Sequence, residues 1–321
     1  MTSILSNNEH SINTNDKNQD TLLQSFIQSK TINDVLNKVK PTCRDLLDLP
    51  HTSTIEEAFD LLLAEDILSV PIYYLDEKTK DKKYIAIVSA LDLLKLLSTK
   101  ISMETLQTNS CALLMPLKDA IGVTEPLTIL NSADSLRQLL DCFSFEKTHR
   151  VLIQQQSNGE LVLLSQMDLI RFFQAYNHQL GSDILDLPVS NIKSSGIKST
   201  LNYRSTAAEG FLKLAADDRI SALPILDDNG DLIGEISAQD LRGLNRNRWD
   251  TLMKPVVMFL KASHGDLYPP LTCHDQFTLS QVMSAFVLRK TYRLWWVDYA
   301  SFKLKGVISL TDILSTLATI I

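Results

Sequence analysis

Four aspartates recur in one local pattern, in which a short apolar strand runs into Ser-x-x-Asp and then into an apolar helix. They are Asp92, Asp168, Asp240 and Asp312, at spacings of 76 (168 minus 92), 72 (240 minus 168) and 72 (312 minus 240) residues. The first turn of a helix presents unpaired backbone amides and a positive dipole end, which suit phosphate-bearing ligands. An acid there can accept two hydrogen bonds from the vicinal diol of a ribose. The pattern therefore indicates nucleotide binding at the four acids and at the serines that begin the last two turns, Ser237 and Ser309. The simpler alternative is that these residues only cap helices.

A second repeated position lies on the strand before each turn. In the second and fourth repeats an aromatic ring precedes arginine, in His149-Arg150 and Tyr292-Arg293. Arginine forms bidentate contacts with phosphate oxygens, so His149, Arg150 and Arg293 are candidate phosphate ligands. Alternatively, they are edge-strand residues that face solvent or the other pair of repeats. Odd repeats resemble odd ones and even repeats resemble even ones, which indicates that the duplicated unit is a pair.

The fixed period predicts a repeat architecture that must position these residues. Each repeat reads as strand, helix, strand, turn, strand and helix, and the fold class is α/β (α+β). We expect the pairs, residues 38–180 and 185–321, to be self-contained, each burying the central strands of its two motifs and folding separately. The predicted divisions are a disordered tail (1–20), a helical lead-in broken near Lys30-Thr31 (21–37), motif 1 (38–100), motif 2 (118–180), motif 3 (190–247) and motif 4 (252–321).

The composition of the chain excludes several classes of function. Its 321 residues carry a formal net charge of −7, which argues against a nucleic-acid partner bound through phosphate neutralisation. No apolar run approaches the roughly 18 residues that span a bilayer, and no signal peptide is recognised. The 4 cysteines are scattered, which favours reduced thiols in the cytoplasm or nucleus. The 6 histidines lack metal-ligand spacing, and no catalytic motif is found, so we expect neither a metal nor an enzyme.

The repeats resemble the CBS motif, and the chain resembles the gamma regulatory subunits of AMP-activated protein kinase. The likeness spans roughly residues 21–321 and is carried by Lys147-Thr148-His149-Arg150, by residues 219–224, by Tyr292-Arg293 and by residues 306–314. It implies two tandem CBS pairs (Bateman modules) forming a disc, with AMP, ADP or ATP bound as regulatory ligands in the clefts between paired motifs. It also implies kinase catalytic and bridging subunits as partners, and no chemistry performed by the chain itself.

Several positions depart from the gamma pattern. Leu68 stands where the first motif of the family often has arginine, and Met167-Asp168 stands where lysine and a basic residue are common. Tyr292 replaces a histidine. Two alternatives therefore stay open, namely a four-CBS interaction scaffold that has lost nucleotide sensing and a sensor for another adenosyl ligand.

Overall fold

The lead-in consists of two helices. The computed structural model describes residues 15–42, 45–105, 109–146, 148–157 and 159–321. Helix α1 (Asn15–Gln28) begins inside the segment predicted to be a disordered tail, and residues 1–14 of that segment lie outside the described residues. Helix α2 (Ile32–Val39) follows a break at the predicted place. Its N-cap, Thr31, donates its backbone N–H to Asp34 Oδ2 at 2.8 Å, so the helix begins with a capping box.

Motifs 1 and 2 repeat the same order of elements. Motif 1 contains β1 (Leu49–Pro50), α3 (Ile55–Ala64), β2 (Ser69–Leu75), β3 (Lys82–Ser89) and α4 (Ala90–Ser98). Two 3-10 segments, Ser110–Leu114 and Leu117–Val123, lead to motif 2. Motif 2 contains β4 (Ile129–Asn131), α5 (Leu136–Ser144), β5 (Arg150–Gln154), β6 (Leu161–Ser165) and α6 (Gln166–Ala175).

Motifs 3 and 4 follow the same plan with one departure. The connection contains 3-10 segments at Asn177–Gln179 and Val189–Asn191, α7 (Ser182–Leu185) and β7 (Ser195–Gly196). Motif 3 contains β8 (Leu201–Asn202), α8 (Ala207–Ala216), β9 (Ala222–Leu226) and β10 (Leu232–Ser237). It ends in a short 3-10 segment, Ala238–Leu241, where the sequence predicted a full helix. A 3-10 segment, Arg246–Met253, and α9 (Val256–His264) lead to motif 4, which contains β11 (Thr272–Cys273), α10 (Leu279–Arg289), β12 (Arg293–Val297), β13 (Leu304–Ser309) and α11 (Leu310–Ile320).

The second helix of motif 3 ends early because the chain turns at Gly243. This glycine adopts a left-handed φ of 72°, which a side chain disfavours. Its N–H donates to the carbonyl of Phe59 in motif 1 at 2.9 Å. Phe59 lies in α3, and Arg246 in the loop after Gly243 lies against the same helix, since its Nε contacts Glu56 Oε2 at 3.1 Å. The loop is therefore tied to α3 within the chain.

Each motif forms one small sheet. A short strand pairs in parallel with the central strand, and the central strand pairs antiparallel with the third strand. Strand β7 adds a fourth strand to the sheet of motif 4 by pairing with β13. The registers of the four hairpins correspond, so that the serine before each second helix lies opposite Ser69, Arg150, Ala222 or Arg293.

The segment that leads into each motif packs on the other motif of its pair. At motif 1, Ile55 N donates to the Met115 carbonyl at 3.0 Å, and Leu117 N donates to the Ser53 carbonyl at 2.8 Å. The equivalent two bonds recur at each motif. The segment before each motif is therefore bonded to the other motif of the same pair. In the other three sets, each bond runs from a backbone N–H to a backbone carbonyl. The donor and acceptor residues are Ile32 and Asp134 with Leu136 and Lys30, Val256 and Ser205 with Ala207 and Lys254, and Val189 and Phe277 with Leu279 and Leu187.

The two hydrophobic cores each combine motifs from different pairs. One core joins motif 1 to motif 3, with α4 packed against α8. The other joins the lead-in helices and motif 2 to motif 4, with α6 packed against α10. The expectation that each pair has a core of its own is therefore not met, because the apolar helix faces of each pair are completed by the other pair. Separate folding of the halves stays a question for experiment.

The first prediction concerns the two halves of the chain. Residues 15–180 expressed alone expose the helix faces that the second half covers, and residues 185–321 expose the complementary faces. We expect neither half to unfold cooperatively as a monomer, because burial of apolar area supplies most of the stability. Circular dichroism melts with light scattering check this, and mixing the halves should restore a cooperative transition. A monomeric, cooperatively folded half would contradict the crossed cores.

Candidate functional site

The four predicted aspartates all cap the helix or 3-10 segment that follows them. In every motif the serine is the N-cap, and the aspartate Oδ2 accepts its backbone N–H and its hydroxyl. The N···O distances are 2.8, 3.0, 2.7 and 2.8 Å for Asp92, Asp168, Asp240 and Asp312. Ser237 and Ser309 are the N-caps in motifs 3 and 4, and their part in nucleotide binding stays a prediction. Because capping uses Oδ2, the capacity to bind a ligand rests on the other carboxylate oxygen.

Two of the four acids already have cationic or histidine partners within the chain. Asp168 lies 3.6 Å from Lys40 Nζ and 3.5 Å from an Arg171 guanidinium nitrogen, and its side chain is 7% exposed. Asp240 Oδ1 lies 2.7 Å from His264 Nε2, at the end of α9. Lys40 and His264 come from segments outside the repeated pattern. A ribose at either acid would have to compete with these contacts.

Asp92 and Asp312 differ from the other two acids. Across the described ranges, no lysine, arginine or histidine nitrogen lies within 4.0 Å of either carboxylate. Burial raises the pKa of Asp92, and the hydrogen bonds from Ser89 and the charge of Lys95 only partly offset this rise. Burial likewise raises the pKa of Asp312 against the bonds from Ser309. These two carboxylates are therefore desolvated without a cation in direct contact, which is typical of ligand sites.

The candidate phosphate residues lie in different surroundings. Arg293 is buried, with guanidinium nitrogens 3.4 Å from Glu235 Oε1 and 3.4 Å from Ser221 Oγ. Trp295 Nε1 donates to the second oxygen of Glu235 at 2.6 Å. Arg293 thus joins the sheets of motifs 3 and 4 through an internal pair. This arrangement leaves its charge compensated within the protein.

Arg150 instead lines a small cleft between motifs 1 and 2. The cleft is lined by Ile87, Ser89, Asp92, Glu125, Pro126 and Arg150. Burial lowers the pKa of Arg150, and the negative charges of Glu125 and Asp92 raise it in part. The guanidinium stays charged at neutral pH. The structure therefore brings an acid of motif 1 and a cation of motif 2 to one cavity, as the repeat pattern predicts for a paired site.

Glu125 was not recognised from the sequence. It holds His149 through both carboxylate oxygens, accepting the backbone N–H at 2.9 Å and contacting the ring Nδ1. Partial burial would raise the pKa of Glu125, but the contacts from His149 and the charge of Arg150 together lower it. Glu125 lies in the connection before β4, where no repeated column marks it. His264 and Lys40 were missed for the same reason, and Glu235 was missed because no other repeat has an acid at its position in the strand.

Two other kinds of site do not occur in the part of the chain that the structure describes. No helix within the described ranges is long and apolar enough to cross a membrane. No group of three or more His, Cys, Asp or Glu side chains that could hold a metal occurs among the same residues.

Comparison with known proteins identifies the repeats. A CBS domain family model matches residues 42–99 and 200–245, which correspond to motifs 1 and 3. A solved structure from Methanocaldococcus jannaschii, proposed as an archaeal homologue of g-AMPK, superposes with a TM-score of 0.66 at 15% identity. It covers 86% of this chain and 97% of that chain, which shows a shared fold. The predicted α/β fold of four CBS motifs in two tandem pairs is therefore confirmed.

Three relatives indicate what kind of protein carries this fold. The gamma-like SNF1-related protein kinase regulatory subunit PV42b of Arabidopsis thaliana is 25% identical, over 85% of this chain and 91% of its own length. The 5'-AMP-activated protein kinase subunit gamma of Saccharomyces cerevisiae is 27% identical over 91% of both chains. Protein SDS23 of Kluyveromyces lactis is 26% identical over 85% of this chain, which spans only 60% of that protein. The chain therefore matches the CBS domain in motifs 1 and 3 and resembles gamma regulatory subunits.

The second prediction follows from the raised pKa of Asp92. Because its folded-state pKa exceeds the ordinary value, ionisation of Asp92 lowers the free energy of unfolding as pH rises above the ordinary carboxyl range. Asp92→Asn keeps the capping oxygen and cannot ionise. We expect this variant to equal the original chain in stability near pH 3.5 and to exceed it at pH 7.5, measured by thermal melts.

Asp168→Asn is the matched control for this prediction. It also keeps a capping oxygen, but it leaves Lys40 and Arg171 without a carboxylate. We expect a loss of about 1 kcal/mol at pH 7.5, since both cations are partly exposed. Equal destabilisation by Asp92→Asn and Asp168→Asn at that pH would show that Asp92 is an ordinary cap.

Proposed function

We propose that this protein is a noncatalytic, adenine-nucleotide-sensing regulatory subunit of a protein kinase complex, located in the cytoplasm, the nucleus or both. The proposal rests chiefly on the cleft where Asp92 of motif 1 and Arg150 of motif 2 meet. An acid suited to a ribose and a cation suited to a phosphate there belong to different motifs, so a bound nucleotide would join them. The gamma-like relatives support the kinase partnership.

The nucleotides AMP, ADP and ATP are proposed as regulatory ligands at Asp92 and Asp312. Each acid would accept ribose hydroxyls on the oxygen that capping leaves unused, while helix amides and Arg150 would favour phosphate at the first cleft. The acids Asp168 and Asp240 are not assigned ligands, because Lys40, Arg171 and His264 occupy them. No metal is part of this proposal.

The third prediction tests these two sites. Loss of a charge-assisted hydrogen bond costs about 1.5–3 kcal/mol, so the double variant Asp92→Asn with Asp312→Asn should bind AMP at least about tenfold more weakly. Isothermal titration of the purified chain with AMP, ADP and ATP measures this. The control Asp168→Asn should bind with the original affinity. Unchanged titration curves for the double variant would leave capping as the only role of these acids.

An interaction scaffold is the second candidate function. It is favoured by the internal pairing of Asp168, Asp240 and Arg293, which leaves half of the predicted acids and one predicted cation engaged. It is also favoured by the similarity to Protein SDS23, which is not named as a kinase subunit. The scaffold would use the surface of the four-motif assembly and require no nucleotide.

The fourth prediction separates the two functions by partner. Affinity purification of the full chain from its native source, followed by mass spectrometry, should recover a kinase catalytic subunit and a bridging subunit in stoichiometric amounts. The purified chain alone should not transfer or hydrolyse phosphate. Reproducible recovery of other proteins without kinase subunits would favour the scaffold, even if AMP binds in a cleft.

A further inference from the structure

The cleft between motifs 1 and 2 contains two carboxylates, although the proposed ribose contact uses only that of Asp92. Asp92 and Glu125 both line it, and the charge of Glu125 contributes to the raised pKa of Asp92, after burial. Arg150 is the one arginine or lysine among the described lining residues. Two carboxylates thus face one guanidinium across a small cavity.

Glu125 also engages the residues that would otherwise hold phosphate. Its carboxylate accepts the His149 backbone N–H and contacts the ring Nδ1, so the imidazole is directed toward Glu125. The negative charge of Glu125 also acts on Arg150 and offsets part of its positive charge. The attraction that this cleft offers to an additional phosphate group is correspondingly reduced.

We propose that Glu125 is a specificity-determining residue that makes this cleft favour adenosyl ligands of low phosphate charge, adenosine and AMP, over ATP. This inference rests on the proposed binding of adenine nucleotides at Asp92. The ribose contact at Asp92 is common to all three ligands and does not discriminate among them. Discrimination arises from the phosphate chain, which brings its charges toward the wall formed by Glu125.

The physical basis is Coulomb repulsion in a partly enclosed space. AMP carries one phosphate group, whose charge Arg150 compensates in part, whereas each further phosphate of ATP adds negative charge beside Asp92 and Glu125. Such interactions are several times stronger at a protein surface than in bulk water, and salt weakens them. The cleft should therefore bind ATP more weakly than AMP, and more so at low ionic strength.

The test uses the full chain with Asp312→Asn, so that binding reports on this cleft. Glu125→Gln keeps an oxygen for the His149 N–H and removes the charge. Glu77→Gln is the matched control, since it removes the same charge in the β2–β3 loop, at the opposite end of the hairpin from Ser89. Adenosine, AMP and metal-free ATP are titrated calorimetrically against each chain.

We expect Glu125→Gln to raise ATP affinity about tenfold, to raise AMP affinity less and to change adenosine affinity by less than about twofold. Glu77→Gln should change none of the three. If adenosine and AMP bind but Glu125→Gln leaves ATP affinity at the control value, the role of Glu125 is refuted and the proposed function survives. If none of the three ligands binds any chain, both fail.

A second measurement does not depend on the folding of Glu125→Gln. In the chain that retains Glu125, the preference for AMP over ATP should narrow when the salt concentration rises from about 50 to about 500 mM, because the Debye length shortens. A preference that is absent at low salt, or that does not change with salt, would overturn the electrostatic account.

Discussion

The apolar faces of the helices impose the constraint on which the rest of the structure depends. Each sheet is small, and its helices present a second apolar surface on the side away from the strands. These surfaces are covered by a motif of the other pair, motif 1 by motif 3 and motif 2 by motif 4. The clefts between paired motifs are therefore held by contacts made across both pairs.

The exchanged lead-in segments add a second set of constraints within each pair. The same two backbone hydrogen bonds fix each segment against the first helix of the partner motif. The chain then continues toward the strand of its own motif, and in the first pair this path carries Glu125 to the wall of the Asp92 cleft. Residues outside the repeats thus decide the charge of a site whose walls the repeats form.

The sequence allowed the fold to be predicted in detail because its signals are local. The Ser-x-x-Asp turns, the breaks between elements and the register of the Arg150 and Arg293 positions all depend on nearby residues. The truncated helix of motif 3 was missed, since Gly243 turns toward a distant carbonyl, that of Phe59. The internal partners of two acids were also missed, because Lys40 contacts Asp168 and His264 contacts Asp240 from segments that lie outside the repeated pattern. The pairing of cores could not be inferred, since an apolar helix face does not specify its partner.

The central claim is that two of four similar acids, Asp92 and Asp312, remain open to a ligand. Native mass spectrometry of the intact chain, titrated with AMP to saturation, tests it most directly by counting bound nucleotides. The structure predicts that occupancy stops at two AMP molecules per chain, since Asp168 and Asp240 are held by internal partners. Specific binding of three or four AMP molecules per chain would contradict this account, as would the absence of any bound AMP throughout the titration.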